Sequence, residues 1–383
     1  MTKTSIILGG GAAGFFAAVN TARLNPDQQV IILEKSGKLL SKVRVSGGGR
    51  CNVTNACFDD ALLVKNYPRG EKALRQAFSR FSCADTVVWF EERGVKLKAE
   101  ADGRMFPVTD NSQTIIDCLL REATAYKVDI RLNTEVTGIT KTENGFELKL
   151  ADGETLLCNN IVLATGGHPK SAGYDLIRTL GHTIAEPVPS LFTFNMPGDP
   201  VRELMGVSVE KALVKITGLK VGQEGPLLIT HWGMSGPAIL KSSAWGARVL
   251  NEIGYRFDAR ITWVQGFTEQ EWRDKLNDFR EYEKQKFVIN ANPFPIPKRL
   301  WDYFITKAGM FSEQRWADVS NKQLNKLLEI LLNDAAMRRN GDAVGVVRLS
   351  FVPCRDRVRP RRNVADDVCA IGVRDSEVSM REH

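Results

Sequence analysis

Gly9, Gly11 and Gly14 stand in the spacing G-x-G-x-x-G, and an acid, Glu34, follows 20 residues after the third glycine. Each part has a mechanical role in holding a dinucleotide. Gly9 permits a tight turn, Gly11 lets the backbone approach a pyrophosphate, and Gly14 lets a helix lie close to a strand. Ala12 and Ala13 complete the turn and are counted with the glycines as cofactor-binding positions. The helix that opens here offers unpaired N–H groups to phosphates, and its dipole favours their charge. Glu34 can accept hydrogen bonds from a ribose diol. An acid there favours a ribose with a free 2′-hydroxyl, which both NAD and FAD carry, so the motif alone does not choose between them.

The elements that must position these residues can be read around them. Ser5-Ile6-Ile7-Leu8 reads as a buried strand, an Ala-rich helix runs to about Leu24, and Asn25-Pro26-Asp27 breaks it. Val30-Ile31-Ile32-Leu33 reads as a second strand ending on Glu34. The sum is a βαβ unit.

Two further motifs could share the crevice. Val45-Ser46-Gly47-Gly48-Gly49-Arg50-Cys51-Asn52 is Gly-rich enough for backbone to lie against a flat ring or a phosphate. Arg50 could donate a bidentate pair to phosphate, and Asn52 could donate and accept. The bland alternative is a flexible surface loop. Ala164-Thr165-Gly166-Gly167 ends the apolar run Asn160 to Thr165, and ligands sit beyond the carboxyl ends of parallel strands. His231, in Thr230-His231-Trp232-Gly233, could give a proton to a substrate, or be a structural histidine at a turn. Cys51 could be redox-active or a packed thiol. His168 reads as a loop residue. Lys35, Lys38, Lys42, Arg44 and Arg50 place five cations in 16 residues, which could attract RNA or cofactor phosphates or simply be solvated.

Composition bounds the rest. At 383 residues, 43% hydrophobic and 25% charged, the chain reads as a globular protein of two or three domains. No apolar run approaches a membrane span, and the N-terminus does not read as a signal peptide. Seven scattered cysteines with no C-x-x-C point to reduced thiols and a cytoplasmic location, and no metal site is expected. The net charge of +7 is unevenly placed. Residues 336–383 hold ten Arg, no Lys and seven acids; the body, 1–335, is only mildly basic at +4, a weak pointer to an acidic partner.

Along the chain, 70–93 reads as one helix closed by Gly94, 112–126 as another, and Val136–Thr142 with Gly145–Leu150 as a hairpin around Asn144-Gly145. Residues from about 187 to 262 read as antiparallel β structure. Thr268–Glu271 and Ser320–Gln323 are capping boxes opening helices, and Pro297 starts a third.

The stretches IILGGGAAGFFAA, EKSGKLLSKVRVSGGGRCNVTN, ADGRMFPVTDNSQTIIDCL, VLATGGHPKSAGYDLIRTLGHTIAEPVPSL and GPLLITHWGMSGPAIL, in order over residues 3–335, resemble the bacterial BaiN-like family of NAD(P)/FAD-dependent oxidoreductases. The resemblance implies an α/β fold: a Rossmann-like FAD-binding domain with an inserted antiparallel, barrel-like β domain and a small helical subdomain. The boundaries expected are 1–187 for the FAD domain, 188–264 for the β insert and 265–335 for the helical insert. Residues 336–383 form an atypical Arg-rich tail in place of the closing FAD-domain segment. It implies FAD rather than NAD as the resident group: Gly9, Gly11, Gly14 and Glu34, with Lys35 beside it, on the ADP half. Lys42, Gly48, Gly49, Arg50 and Asn52, with Cys51, would lie along the flavin, and Thr165 and Gly166 would flank the adenine–ribitol side. NAD(P)H would visit transiently, since no second G-x-G-x-x-G occurs. The activity implied is hydride transfer through the flavin to an activated C=C bond, in a small enone or in a uridine base of ribosomal RNA. The alternative is a non-catalytic remnant that cannot hold FAD, because a G-E-x-x-D-x-x-G-x-x-G-G-F-N-like run does not occur after residue 335.

Overall fold

The computed structural model describes residues 2–168, 171–220 and 222–335. The Arg-rich tail expected at 336–383 lies outside the described residues. The described chain falls into two compact units that divide between Pro187 and Val188.

The first unit is built on a parallel sheet. β1 (Thr4–Leu8) leads through α1 (Ala12–Leu24) into β2 (Gln29–Leu33). The sheet order is Asn160–Leu163, β1, β2, Asp129–Arg131. Ile6 stands level with Ile161 on one side and Ile31 on the other. The chain therefore leaves β1 toward one side and returns much later on the other, which makes the carboxyl end of β1 a topological switch point.

Alternation of side chains sends successive residues to opposite faces. Ile7 and Ile32 face Phe15, Ala18 and Val19 of α1 together with Ile115 and Leu119 of the helix Ser112–Ala125. Ile6, Leu8, Ile31 and Leu33 face a three-stranded antiparallel sheet, against Ile139, Leu148 and Leu150. That sheet contains the expected hairpin, with Val136–Thr142 paired to Gly145–Leu150. A third, small sheet joins Thr54–Asn55, Arg104–Pro107 and Leu97–Ala99.

The single helix expected over 70–93 is two helices, Glu71–Phe78 and Cys83–Glu91. The break is chemical: Ser82 and Asp85 form a capping box that starts the second helix afresh, with Ser82 N–H donating to Asp85 Oδ2 at 2.7 Å.

The second unit holds a six-stranded sheet whose longest pair is Ser208–Ile216 with Gln223–Thr230. The reading of 187–262 as β structure alone missed a 16-residue helix, Pro237–Glu252. Its signal was present in Pro237 at the first helical position and in the burial of Ile239, Ser243, Ala247 and Leu250 at helical spacing. The helices Glu269–Tyr282, Lys298–Lys307 and Asn321–Asn333 follow. Sheet residues such as Val214, Ile229 and Ile261 share one core with Trp301, Trp316 and Leu327 of the helical segment.

Trp301 and Trp316 are fully buried, stacked at 6.3 Å, and both indole N–H groups are used: Trp301 donates to Val288 O at 2.9 Å and Trp316 to Ala291 O at 3.2 Å. Trp301→Ala removes that packing and leaves a cavity, and should cost about 3–5 kcal/mol. Urea unfolding followed by circular dichroism measures it; a loss below about 1 kcal/mol would contradict the assignment of this pair to the centre of the core.

Candidate functional site

The turn after β1 is too tight for side chains. Gly9 has φ +114°, and a Cβ built there would lie 2.4 Å from Ala164 O; one built on Gly14 would lie 1.9 Å from Gly9 O. Gly9 N–H donates to Leu33 O at 2.8 Å. β1, α1 and the turn after Leu163 thus meet backbone to backbone. The Ala164-Thr165-Gly166 turn lies at the G-x-G-x-x-G turn, with Thr165 N 3.2 Å from that same built Gly9 Cβ.

Gly11 is different. It is the N-cap of α1, with φ −93° and ψ −174°, extended backbone that any residue adopts, and a Cβ built on it meets nothing within 4 Å. Neither conformation nor packing demands glycine there. The N-terminus of α1 has no side-chain cap and no acid in its first turn, so the N–H groups of Ala12, Ala13 and Gly14 face the space beside Gly11 without an internal acceptor. This is the cradle a phosphate needs.

Glu34 lies at the end of β2 with its carboxylate largely engaged. Oε2 accepts from Gly10 N at 2.8 Å; Oε1 accepts from Ser36 N at 2.9 Å and Ser36 Oγ at 2.8 Å. Burial opposes the charge, but the Gly10 and Ser36 donors, with Lys35 beside them, outweigh it and hold the carboxyl below its usual range. By lone-pair count one acceptor position remains on Oε2, enough for one ribose hydroxyl. Gly10 and Ser36 were not singled out from the sequence; the signal available was Ser36 two residues after the acid, within reach of a local side-chain turn.

The Gly-rich loop is held open by backbone. Gly47, Gly48, Gly49 and Cys51 all have positive φ, of +56°, +67°, +88° and +63°. Gly47 is the buried foot, where an added Cβ would lie 2.8 Å from Phe106 and 2.9 Å from Asn52 N; around Gly48 and Gly49 there is nothing within 4 Å. Asn52 is buried beneath. Cys51 is fully buried, and burial raises its thiol above the usual range, so it is a packed thiol and not a ready thiolate.

Arg50 does not present the free fork expected for a phosphate. Its Nη1 meets Glu100 Oε1 at 2.6 Å, and its guanidinium lies 4.0 Å over the Phe106 ring. Arg50 therefore ties the loop to the small sheet. Glu100 and Phe106, about 50 residues on, carried no local sign of this partnership.

Lys42 stands at the ATGG turn: a Cβ on Gly166 would come within 3.4 Å of its Nζ. His168 is in the following loop, where Tyr174 OH accepts its N–H at 3.0 Å. Burial, then the charges of Lys35 and Lys42, holds its imidazole below the usual range. The first unit thus brings together Gly9 to Gly14, Glu34, Lys35, Lys42, Thr165 and Gly166. The loop Gly48 to Asn52 belongs to the same unit. His231 belongs to the second, in the turn between Gln223–Thr230 and Gly233–Ser235. Its ring is edge-on to Trp232 at 4.4 Å, its carbonyl accepts from Arg202 Nε at 2.7 Å, and no described residue bonds its ring nitrogens. Among the described residues no group of three or more His, Cys, Asp or Glu could hold a metal, and no helix is long and apolar enough to cross a membrane.

Two predictions separate the glycines and the acid. In cofactor-free protein, Gly14→Ala should lower the melting temperature by several degrees, about 1–3 kcal/mol for an overpacked contact, whereas Gly11→Val should leave it nearly unchanged; equal losses would contradict the open space at Gly11. Because the native Glu34 carboxyl is held below its ordinary range, its stabilisation is complete above that range and is lost as pH falls through the native pKa. The stability gap between wild type and Glu34→Gln in denaturant titrations should therefore close on acidification; a gap independent of pH would contradict the charged role of Glu34.

The family described as HI0933-like protein Rossmann domain matches residues 3–381. The 3-dehydro-bile acid delta(4,6)-reductase of Clostridium scindens is 29% identical over 71% of this chain and 67% of its own length. The ribosomal RNA dihydrouridine synthase of Escherichia coli is 29% identical over 88% of this chain and 81% of its own. Among solved structures, the open conformation of a flavocytochrome c3 fumarate reductase superposes with a TM-score of 0.38 at 19% identity, covering 55% of this chain and 47% of that one. The chain spans less than half the length of that structure. With a βαβ nucleotide turn at the switch point of its parallel sheet and a family match across almost its whole length, the chain belongs to the HI0933-like Rossmann family of oxidoreductases, the flavoprotein family that its sequence motifs resemble.

Proposed function

We propose that the chain is an FAD-dependent oxidoreductase that reduces the activated C=C bond of a uridine base in ribosomal RNA at the expense of NADH or NADPH. The observation that carries the cofactor reading is Gly11, a residue with ordinary backbone and open space where its side chain would be, at an uncapped helix N-terminus. Bound FAD would supply hydride transfer from the nicotinamide to the substrate carbon. The chain's own residues bind and orient. The N–H groups of Ala12, Ala13 and Gly14 hold the pyrophosphate, and the remaining acceptor on Glu34 takes one ribose hydroxyl. Thr165, Gly166 and Lys42 flank the bound dinucleotide, with Lys35 adding positive charge beside it. Gly48 and Gly49 offer bare backbone to the ring, on a loop fixed by Arg50, Cys51 and Asn52. His231, whose ring nitrogens no described residue engages, is kept as the candidate proton donor of the reaction.

The substrate reading draws on the relatives. The longer overlap is with the ribosomal RNA dihydrouridine synthase. A uridine C5=C6 bond is conjugated to a carbonyl, as an enone is, so the same hydride chemistry serves both. A base inside a helix would have to leave its stack to reach the site.

FAD-loaded protein incubated with NADPH or NADH and unmodified ribosomal RNA should yield dihydrouridine, detected by mass spectrometry of the digested nucleosides as a gain of two hydrogens. No dihydrouridine, with turnover of a steroid enone instead, would move the substrate to small molecules; a protein that takes up no FAD would favour the non-catalytic remnant. His231→Asn should lower turnover by about 10²–10⁴-fold at unchanged flavin content; unchanged turnover would remove His231 from the proton path.

A further inference from the structure

The segment that leaves the Gly-rich loop is unlike the rest of the body. After Asn52 the chain makes the short strand Thr54–Asn55, paired with Arg104 and Met105, and Ala56 N–H donates to Gly103 O at 2.7 Å. It then makes an excursion over residues 57–81 before the Ser82 capping box returns it to the core. Within it, residues 65–80 carry five Lys and Arg (Lys65, Arg69, Lys72, Arg75, Arg80) against one acid, Glu71. That net +4 equals the net charge of the whole body, 1–335, so the remainder of the body is balanced. The acid is engaged, with Glu71 Oε1 holding Arg75 Nη2 at 2.8 Å. Lys65, Lys72 and Arg80 are exposed and pair with no acid among the described residues.

The helix Glu71–Phe78 buries no residue. Its inner side, Leu74 and Phe78, is only half-buried, with Phe78 against Tyr67 at 5.7 Å. Lys72, Gln76, Ser79 and Arg80, at helical spacing, make an outer face of hydrogen-bond donors, with Arg75, paired to Glu71, at its edge. In proteins a short helix is held chiefly by the face it buries; this one contributes little to the core and presents cations instead. In sequence, Phe58 precedes it and Phe81 follows it; Phe58 is 55% exposed, whereas the Phe81 ring packs edge-on to Phe16 at 5.1 Å.

We infer that the outer face of Glu71–Phe78, with Lys65 and Arg80, is a track for an RNA phosphate backbone, which delivers the substrate base to the loop from which the segment springs. The inference rests on the RNA reading of the substrate. Unpaired cations spaced along one helix face and the turn before it fit the phosphates of a single-stranded polyanion. A membrane surface fits less well, because the apolar side of this helix is turned to the protein and not outward.

The test uses the full chain loaded with FAD and a fluorescein-labelled, mixed-sequence single-stranded RNA, with binding read by anisotropy over a range of salt. The triple variant Lys65→Gln, Lys72→Gln, Arg80→Gln should bind at least about tenfold more weakly at low salt, and its log Kd versus log salt slope should fall by about 2, near 0.7 per lost phosphate contact. Its flavin spectrum and its bleaching by NADPH should match wild type, which also shows that the variant folds. A variant with wild-type affinity and slope overturns the track, as does a wild type that binds no RNA, or one that binds phosphatidylserine vesicles through these three residues in place of RNA. The RNA reading itself is judged by dihydrouridine formation. Product made equally well by wild type and variant sinks the track alone, and no product from a wild type that holds flavin sinks the reading.

Discussion

The structure of the first unit depends on one close approach. Where β1 ends, three stretches of backbone converge: Gly9, the carbonyl of Ala164 and the first turn of α1 at Gly14. A methyl group on Gly9 or Gly14 would sit 2.4 Å or 1.9 Å from a carbonyl oxygen. That contact fixes where α1 begins, and hence where its uncapped N–H groups point. It also sets the ATGG turn beside the nucleotide turn, because the strand Asn160–Leu163 runs in register with β1. Two segments about 150 residues apart in sequence are thereby made into one rim.

The rest of the rim is arranged around that contact with little freedom. Glu34 is pinned by Gly10 and Ser36 in a charged state, so its remaining acceptor position is pre-set. The Gly-rich loop stores left-handed backbone at Gly47, Gly48, Gly49 and Cys51. For Cys51, which has a Cβ, that conformation costs about 1–2 kcal/mol. Burial of Cys51 and Asn52, and the seat of Arg50 between Glu100 and Phe106, offset the strain from below. The upper side, at Gly48 and Gly49, is left bare. Strain held by the surroundings around an open surface is the arrangement expected of a ligand clamp.

What could be read in the sequence was what local chemistry dictates. The βαβ unit, the hairpin around Asn144-Gly145 and the capping boxes at Thr268 and Ser320 follow from residues within a few positions of one another, and all are present. The roles of Gly9 and Gly14 were legible because only backbone geometry is at stake. The partners of Arg50 were not, since Glu100 and Phe106 approach through a sheet whose pairing no local pattern announces. The helix Pro237–Glu252 was hidden because its small residues, Ser242, Ser243, Gly246 and Ala247, blur the apolar period while still being the ones buried. The break at Ser82 was missed because the apolar period runs across it.

The central claim is that the space beside Gly11 belongs to a flavin dinucleotide. The direct measurement is the visible spectrum of wild type and of Gly11→Val after incubation with FAD and removal of unbound cofactor by gel filtration. The account predicts a flavin spectrum in wild type and none in Gly11→Val, with the same circular dichroism in both and the same melting temperature once both are stripped of cofactor. Flavin retained by Gly11→Val, or no flavin taken up by wild type, would contradict it.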